Sequence, residues 1–232
     1  MEKSSWIRKM FEEGIWLKKQ FGEENVFDLS LGNPVIEPPD QVQAALVKAA
    51  KDISPGLHRY MPNAGLQDVR EAIAKTLSNE CQLSLSANDL VMVCGAAGGL
   101  NITLKTLLDS GDEVLIFAPY FVEYLFYADN HGGKAVAVKT HDDFTLDMDA
   151  LKDALSEKTK AVIVNSPNNP TGVVYSREEL KQLAEVLKAH SEKTGKAVYL
   201  ISDDPYKKIT FDGVEAVNIL ELYENSIYIT SH

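Results

Sequence analysis

From residue 90 onward the chain alternates short, apolar, β-favouring runs with helical stretches, and that alternation limits the folds open to it. The runs are 90–94, 113–117, 135–139, 161–165, 197–202 and 226–230. Most are apolar at successive positions, as expected for strands buried on both faces. Helical stretches intervene, at 99–108, 151–155 and 177–194. This order predicts an α/β fold, a mostly parallel sheet with helices on both faces. Ligands of such sheets bind beyond the carboxyl ends of the strands, so the residues after each run are the informative ones.

Upstream, Trp6, Ile7, Met10, Phe11 and Ile15 share one helical stripe. The stripe suits a helix packed on its own domain or an arm packed on a partner subunit. Residues 33–39 are proline-rich and predict an irregular connection. A helix over 40–51 follows, with Asp40 as N-cap, then turns over 54–65 and a helix over 66–79.

Net charge is −11 and the sequence pI about 4.9. Such a surface repels phosphate backbones and argues against nucleic-acid binding. The cysteines are Cys81 and Cys94, without metal-ligand spacing, which fits a reducing compartment. Cys94 ends an apolar run and reads as a small core residue. The first residues are charged and lack the apolar core of a signal peptide. No stretch has the apolar length of a membrane helix. A cytoplasmic protein with no membrane partner is the expectation.

The loops after the runs carry the chemistry. Gly95-Ala96-Ala97-Gly98-Gly99 joins a strand to a helix. Small residues with free amides at a helix start suit a phosphate, or simply a tight turn. Pro119-Tyr120-Phe121 sets aromatics at a strand end, for stacking on a planar ring or for packing. Ser166-Pro167-Asn168-Asn169-Pro170-Thr171-Gly172 is stiff and offers two asparagine amides at a defined place. Asp203-Asp204-Pro205-Tyr206 ends a buried run with carboxylates. These need a positive partner, unless one of them caps a helix.

Taken together these loops resemble the class I/II aminotransferases, a family of fold-type I enzymes dependent on pyridoxal 5'-phosphate. Asn168-Asn169-Pro170-Thr171-Gly172 carries the resemblance most strongly. Ser202 to Tyr206, Leu31-Gly32-Asn33-Pro34 and the stretch from Tyr60 to Gly65 add to it. Order and spacing agree over essentially the whole chain. The resemblance implies an N-terminal arm and part of a small domain over 1–50, and a cofactor-binding large domain over 51–232. It implies amino-group transfer between an amino acid and a 2-oxo acid by a homodimer.

It also implies roles for individual residues. Asp203 would pair with the protonated pyridine nitrogen. Tyr206 and Asn169 would address the phenolic oxygen, and Asn169 would also help place the substrate carboxylate. Phe121 would cover the ring face. Ala96, Ala97 and Ser231 would hold the phosphate, joined by Tyr60 from the neighbouring subunit. The backbone of Gly32 would approach the substrate.

In the family the strand carrying Ser231 runs into a Ser-x-x-Lys pattern. Ser231 and His232 fit its first two positions, so the Schiff-base lysine is expected two positions beyond His232. On this expectation the 232 residues belong to a longer chain, and alone they carry no catalytic residue. The resemblance further implies that the next strand enters the middle of the sheet. Lys207 and Lys208 read as solvated charges directed away from the cofactor.

Three other readings compete. A lyase or decarboxylase on the same scaffold would use the same cofactor loops. A non-catalytic module binding cofactor or amino acid would need an attached DNA-binding segment to serve as a regulator, and the N-terminus shows no helix-turn-helix. A nicotinamide-dependent dehydrogenase is excluded, because Ala96 breaks the glycine fingerprint and the acids Asp112 and Glu113 stand at the start of the second run and not after it.

Overall fold

The computed structural model describes residues 6–29, 32 and 36–231, with backbone alone for 6–8. The chain divides into two units, Met1–Met61 and Pro62–His232. In the first, helix α1 spans Trp6–Phe21 and α2 spans Asp40–Lys51. Met10, Phe11 and Ile15 of the α1 stripe are exposed, while the side chains of Trp6 and Ile7 lie outside the described residues. Pro39, not Asp40, is the N-cap of α2, with φ −55° and ψ 147°. The proline already holds the extended conformation a cap requires, so Asp40 becomes the first helical residue. There its charge complements the helix dipole.

The second unit is built on the predicted α/β plan. Its helices are α3 (Gln67–Cys81), α4 (Gly95–Leu107), α5 (Glu123–Asp129), α6 (Met148–Ala154) and α7 (Arg177–Thr194). Its strands are β1 (Glu113–Ala118), β2 (Lys134–Lys139), β3 (Thr159–Val164), β4 (Tyr199–Asp203) and β5 (Ser226–Ile229). They form one five-stranded sheet in the order β2-β1-β3-β4-β5, and every pairing is parallel.

Successive side chains on a strand point to opposite faces, and here both faces are covered. Val114, Ile116, Ala161, Ile163, Ile201 and Ile229 pack with Leu100 and Leu104 of α4 and Tyr124 and Ala128 of α5. Leu115, Phe117, Val162, Val164 and Leu200 pack on the other side with Leu151 of α6 and Leu180, Leu183, Ala184 and Leu187 of α7. The α7 residues recur at the spacing of one helical face. A capping box starts that helix, with Ser176 and Glu179 exchanging side-chain and backbone bonds. Gly195 ends it in the left-handed conformation.

The run at 90–94 is not a strand. Leu90 is extended, with φ −122° and ψ 141°, but among the described residues no strand pairs with the segment. The amide of Met92 donates instead to Ala64 O at 2.9 Å. With no sheet to cover it, Cys94 is exposed rather than in the core. The segment is held from below by the buried guanidinium of Arg70, which donates to the carbonyls of Gly65, Ala87 and Leu90.

Chain order reverses at β1: the chain leaves β1 for β2 on one side and returns to β3 on the other. Loops leave the carboxyl ends of β1 and β3 in opposite directions, which opens a crevice there.

Candidate active site

A cleft of about 110 Å³ lies at this reversal. Its lining comes from the start of α4 (Ala96, Ala97), the β1–α5 connection (Phe121, Tyr124), the end of β3 (Asn165, Asn169) and the end of β4 (Asp203, Tyr206). Six residues singled out in the sequence therefore meet: Ala96, Ala97, Phe121, Asn169, Asp203 and Tyr206. Ser231 is exposed and does not line the cleft. Gly32 and Tyr60 belong to the unit Met1–Met61 and are exposed. Leu31, Asn33 and Pro34 of the same motif lie outside the described residues. A larger, shallower depression between α3 and residues 83–88 contains none of these groups.

The two carboxylates ending β4 diverge, because neighbours on a strand face opposite sides. Asp203 is 6% exposed and looks into the cleft. Its Oδ2 accepts from the Tyr124 hydroxyl at 2.7 Å, while its buried Oδ1 has no hydrogen-bond partner. Burial pushes its carboxyl above the usual range, and the Tyr124 bond opposes that rise. The Tyr124 hydroxyl is pushed up in turn, by burial first and then by the charge of Asp203. Asp204 is 1% exposed. Its Oδ1 accepts from Ser202 Oγ at 2.7 Å, its Oδ2 has no partner, and burial raises its carboxyl to about 7. No helix begins at either acid, so the capping alternative falls.

The stiff loop after β3 spends much of its polarity on itself. Asn168 Oδ1 accepts from the amide and hydroxyl of Thr171, and Gly172 adopts φ +75°, which suits glycine. Of the two asparagines only Asn169 reaches the cleft. Its amide donates to Asn165 Oδ1 at 2.6 Å, and Asn165 Nδ2 donates to the carbonyl of Asp203 at 2.6 Å.

Helix α4 begins directly at Gly95, whose φ is +69°, so the small residues form the first helical turn instead of a turn before it. No side chain caps this end, and the alanines leave its amides open. Phe121 meets Tyr124 edge to face, with ring centroids 5.7 Å apart.

Tyr124 and Asn165 were not singled out in the sequence. Each carried a signal. Tyr124 is a further aromatic in the same stretch after β1, three positions beyond Phe121. Asn165 ends an apolar run with a polar group, as Asp203 does. Lys207 is not a free solvated charge: its Nζ lies 3.1 Å from Glu80 Oε2 and 5.6 Å from the Tyr228 ring centroid. Lys208 is exposed. No lysine lines the cleft among the described residues.

A parallel α/β sheet with polar groups gathered at its order reversal is the arrangement at which doubly wound folds bind small molecules. Residues 24–231 match the family model for aminotransferase class I and II, and the chain belongs to that family. It is 32% identical over 210 residues to a probable aspartate aminotransferase of Methanocaldococcus jannaschii, covering 90% of this chain and 52% of that protein. It is 36% identical over 200 residues to the aspartate aminotransferase of Geobacillus stearothermophilus, covering 85% and 49%. Among solved structures, an aminotransferase from Eubacterium rectale superposes with a TM-score of 0.92 at 37% identity, over 98% of this chain and 58% of that one. Aspartate aminotransferase from Thermus thermophilus with maleate gives 0.85 at 30% identity, over 98% and 57%. The chain thus spans about half the length of the curated relatives it matches.

Proposed function

We propose that the whole protein is an aminotransferase dependent on pyridoxal 5'-phosphate, moving an amino group between an amino acid and a 2-oxo acid. The observation that carries this reading is the buried Oδ1 of Asp203, a residue of the cleft lining, which has no hydrogen-bond partner among the described residues. A buried carboxylate in that state calls for a cationic donor, and the protonated pyridine nitrogen of the cofactor is one. The remaining lining fits the same group. The open amides of Ala96 and Ala97 suit its phosphate, and Phe121 suits its ring face.

Bound there, the cofactor supplies an electron sink for the carbanion left when an amino acid loses its α-proton. Asp203 keeps the proton on the ring nitrogen. Tyr206 and Asn169 address the phenolic oxygen, and Asn169 and the backbone of Gly32 orient the substrate carboxylate. Ser231 and Tyr60, the latter from a second subunit of a homodimer, complete the phosphate site. The exposed Met10, Phe11 and Ile15 of α1 supply an apolar surface for that assembly. The amine that moves the substrate proton comes from a lysine outside these 232 residues. Among the described residues no helix is long and apolar enough to cross a membrane, in keeping with a cytoplasmic enzyme. The names of the relatives put aspartate first among amino donors to try.

The test is an absorbance titration of the whole protein with the cofactor. Uptake giving a band that aspartate or another amino acid bleaches, and that a 2-oxo acid restores, supports transamination. Bleaching without restoration by any 2-oxo acid favours the lyase reading. No uptake rejects both.

A further inference from the structure

We propose that Asn165 is a positioning residue that fixes Asn169 and Asp203 relative to one another. The inference rests on the aminotransferase reading and deepens it. Asn165 is buried at the end of β3, and both ends of its side chain are committed. Oδ1 accepts from the backbone amide of Asn169, and Nδ2 donates to the backbone carbonyl of Asp203, each at 2.6 Å. The two partners belong to different segments, the loop after β3 and the last residue of β4, and each lines the cleft. The direct β3–β4 ladder ends at Val164 and Ser202, one step short of Asn165 and Asp203. Beyond that register the Asn165 amide takes over, closing the gap with one donor and one acceptor. An amide is the side chain that offers both at this length. Asn165 lines the cleft, but both polar ends of its side chain are bonded to protein, leaving neither for cofactor or substrate. It acts through the two residues it holds, and a small displacement of either segment is enough to weaken their contacts.

The test measures pyridoxal 5'-phosphate affinity in the whole protein, for wild type, Asn165→Leu, Asn169→Ala and the double variant. Asn165→Leu keeps the shape and loses both bonds, and is expected to weaken uptake about tenfold or more. The double variant is expected to lose less than the product of the two single losses, because part of the Asn165 effect runs through the Asn169 side chain. An unchanged affinity, or losses that multiply, overturns the proposal. Should Asn165→Leu fail to fold, Asn165→Asp gives a second reading. Its carboxyl can donate to the Asp203 carbonyl only when protonated, so the ratio of variant to wild-type affinity is expected to fall as pH rises. A ratio flat with pH overturns the proposal equally. If wild type takes up no cofactor, the aminotransferase reading itself fails, and this is seen before any substitution is made.

Discussion

The hydroxyl of Tyr124, on the second residue of α5, donates to Oδ2 of Asp203 at the end of β4, across 79 positions of sequence and at 2.7 Å. It is the only hydrogen bond to either carboxylate oxygen of Asp203 among the described residues. Tyr124→Phe removes it and leaves the whole buried carboxylate without a donor. The expected cost is about 1–3 kcal/mol of stability, typical of an orphaned buried polar group. The cost is expected only where Asp203 is ionised, since a protonated carboxyl loses little when the tyrosine goes. Urea unfolding of the variant should therefore approach wild type at acid pH and diverge from it as pH rises. Equal curves at all pH values would mean the bond does not form in solution.

Asp204 provides a second pH dependence. Burial raises its carboxyl from an ordinary 3.8 to about 7. The folded state thus holds a proton that the unfolded state has released, and stability falls with pH across that window. The contribution is complete below the ordinary carboxylate range and is lost as pH rises through about 7. Asp204→Asn places a neutral amide at the same spot and removes this dependence. Between about pH 5 and about pH 8 the variant is expected to gain on the order of 2–3 kcal/mol relative to wild type. Thermal melts at several pH values check this, and parallel curves for the two proteins would count against it.

The strands were legible because each carries successive apolar residues, and the sheet that results buries both faces of β1, β3 and β4. Helix α7 was legible to the residue because Ser176, Glu179 and Gly195 mark its ends. The run at 90–94 looks the same in sequence but is not a strand. Apolarity favours extension, yet a ladder also needs a neighbour, and a single run does not encode one. The site divides in the same way. Asn169, Asp203 and Phe121 announce themselves by type and by place after a run. Tyr124 and Asn165 matter through bonds spanning 79 and 38 positions, and such pairings arise only once the sheet has brought the strand ends together.

Gly99 shows how tightly α4 lies on the sheet. A Cβ at this position would meet Ile229 Cγ2 of β5 at 2.8 Å and Val93 Cγ2 at 3.4 Å. Ile229 is a buried β-branched residue with little rotamer freedom. Gly99→Ala is therefore expected to push α4 outward, at about 1–3 kcal/mol. The gain in helix propensity, about 1 kcal/mol, offsets only part of this. Because Ala96 and Ala97 begin the same helix, phosphate-bearing ligands should lose affinity along with stability. Denaturant titration with cofactor binding reads both, and a variant as stable as wild type would show that the helix–sheet contact gives way freely.

Arg70 is a buried cation that serves carbonyls. Its Nε donates to Gly65 O at 3.3 Å, and Nη1 donates to Ala87 O and, more weakly, to Leu90 O at 3.5 Å. Two of these carbonyls, Ala87 and Leu90, lie at the start of the segment that leads into α4, and among the described residues no strand pairs with 90–94. A planar guanidinium reaches several acceptors at fixed angles, whereas an ammonium concentrates its donors at one point. Arg70→Met keeps the apolar stem and removes every donor; Gly65 O and Leu90 O lose this partner while Ala87 O keeps the Leu90 amide at 3.4 Å, for an expected loss of about 1–3 kcal/mol. Arg70→Lys should recover only part of it. Amide hydrogen exchange locates the effect: protection of the Met92 amide, bonded to Ala64 O, should fall first, while the β3 and β4 amides keep theirs. Uniform loss across the sheet would show that Arg70 supports the whole unit and not the approach to α4.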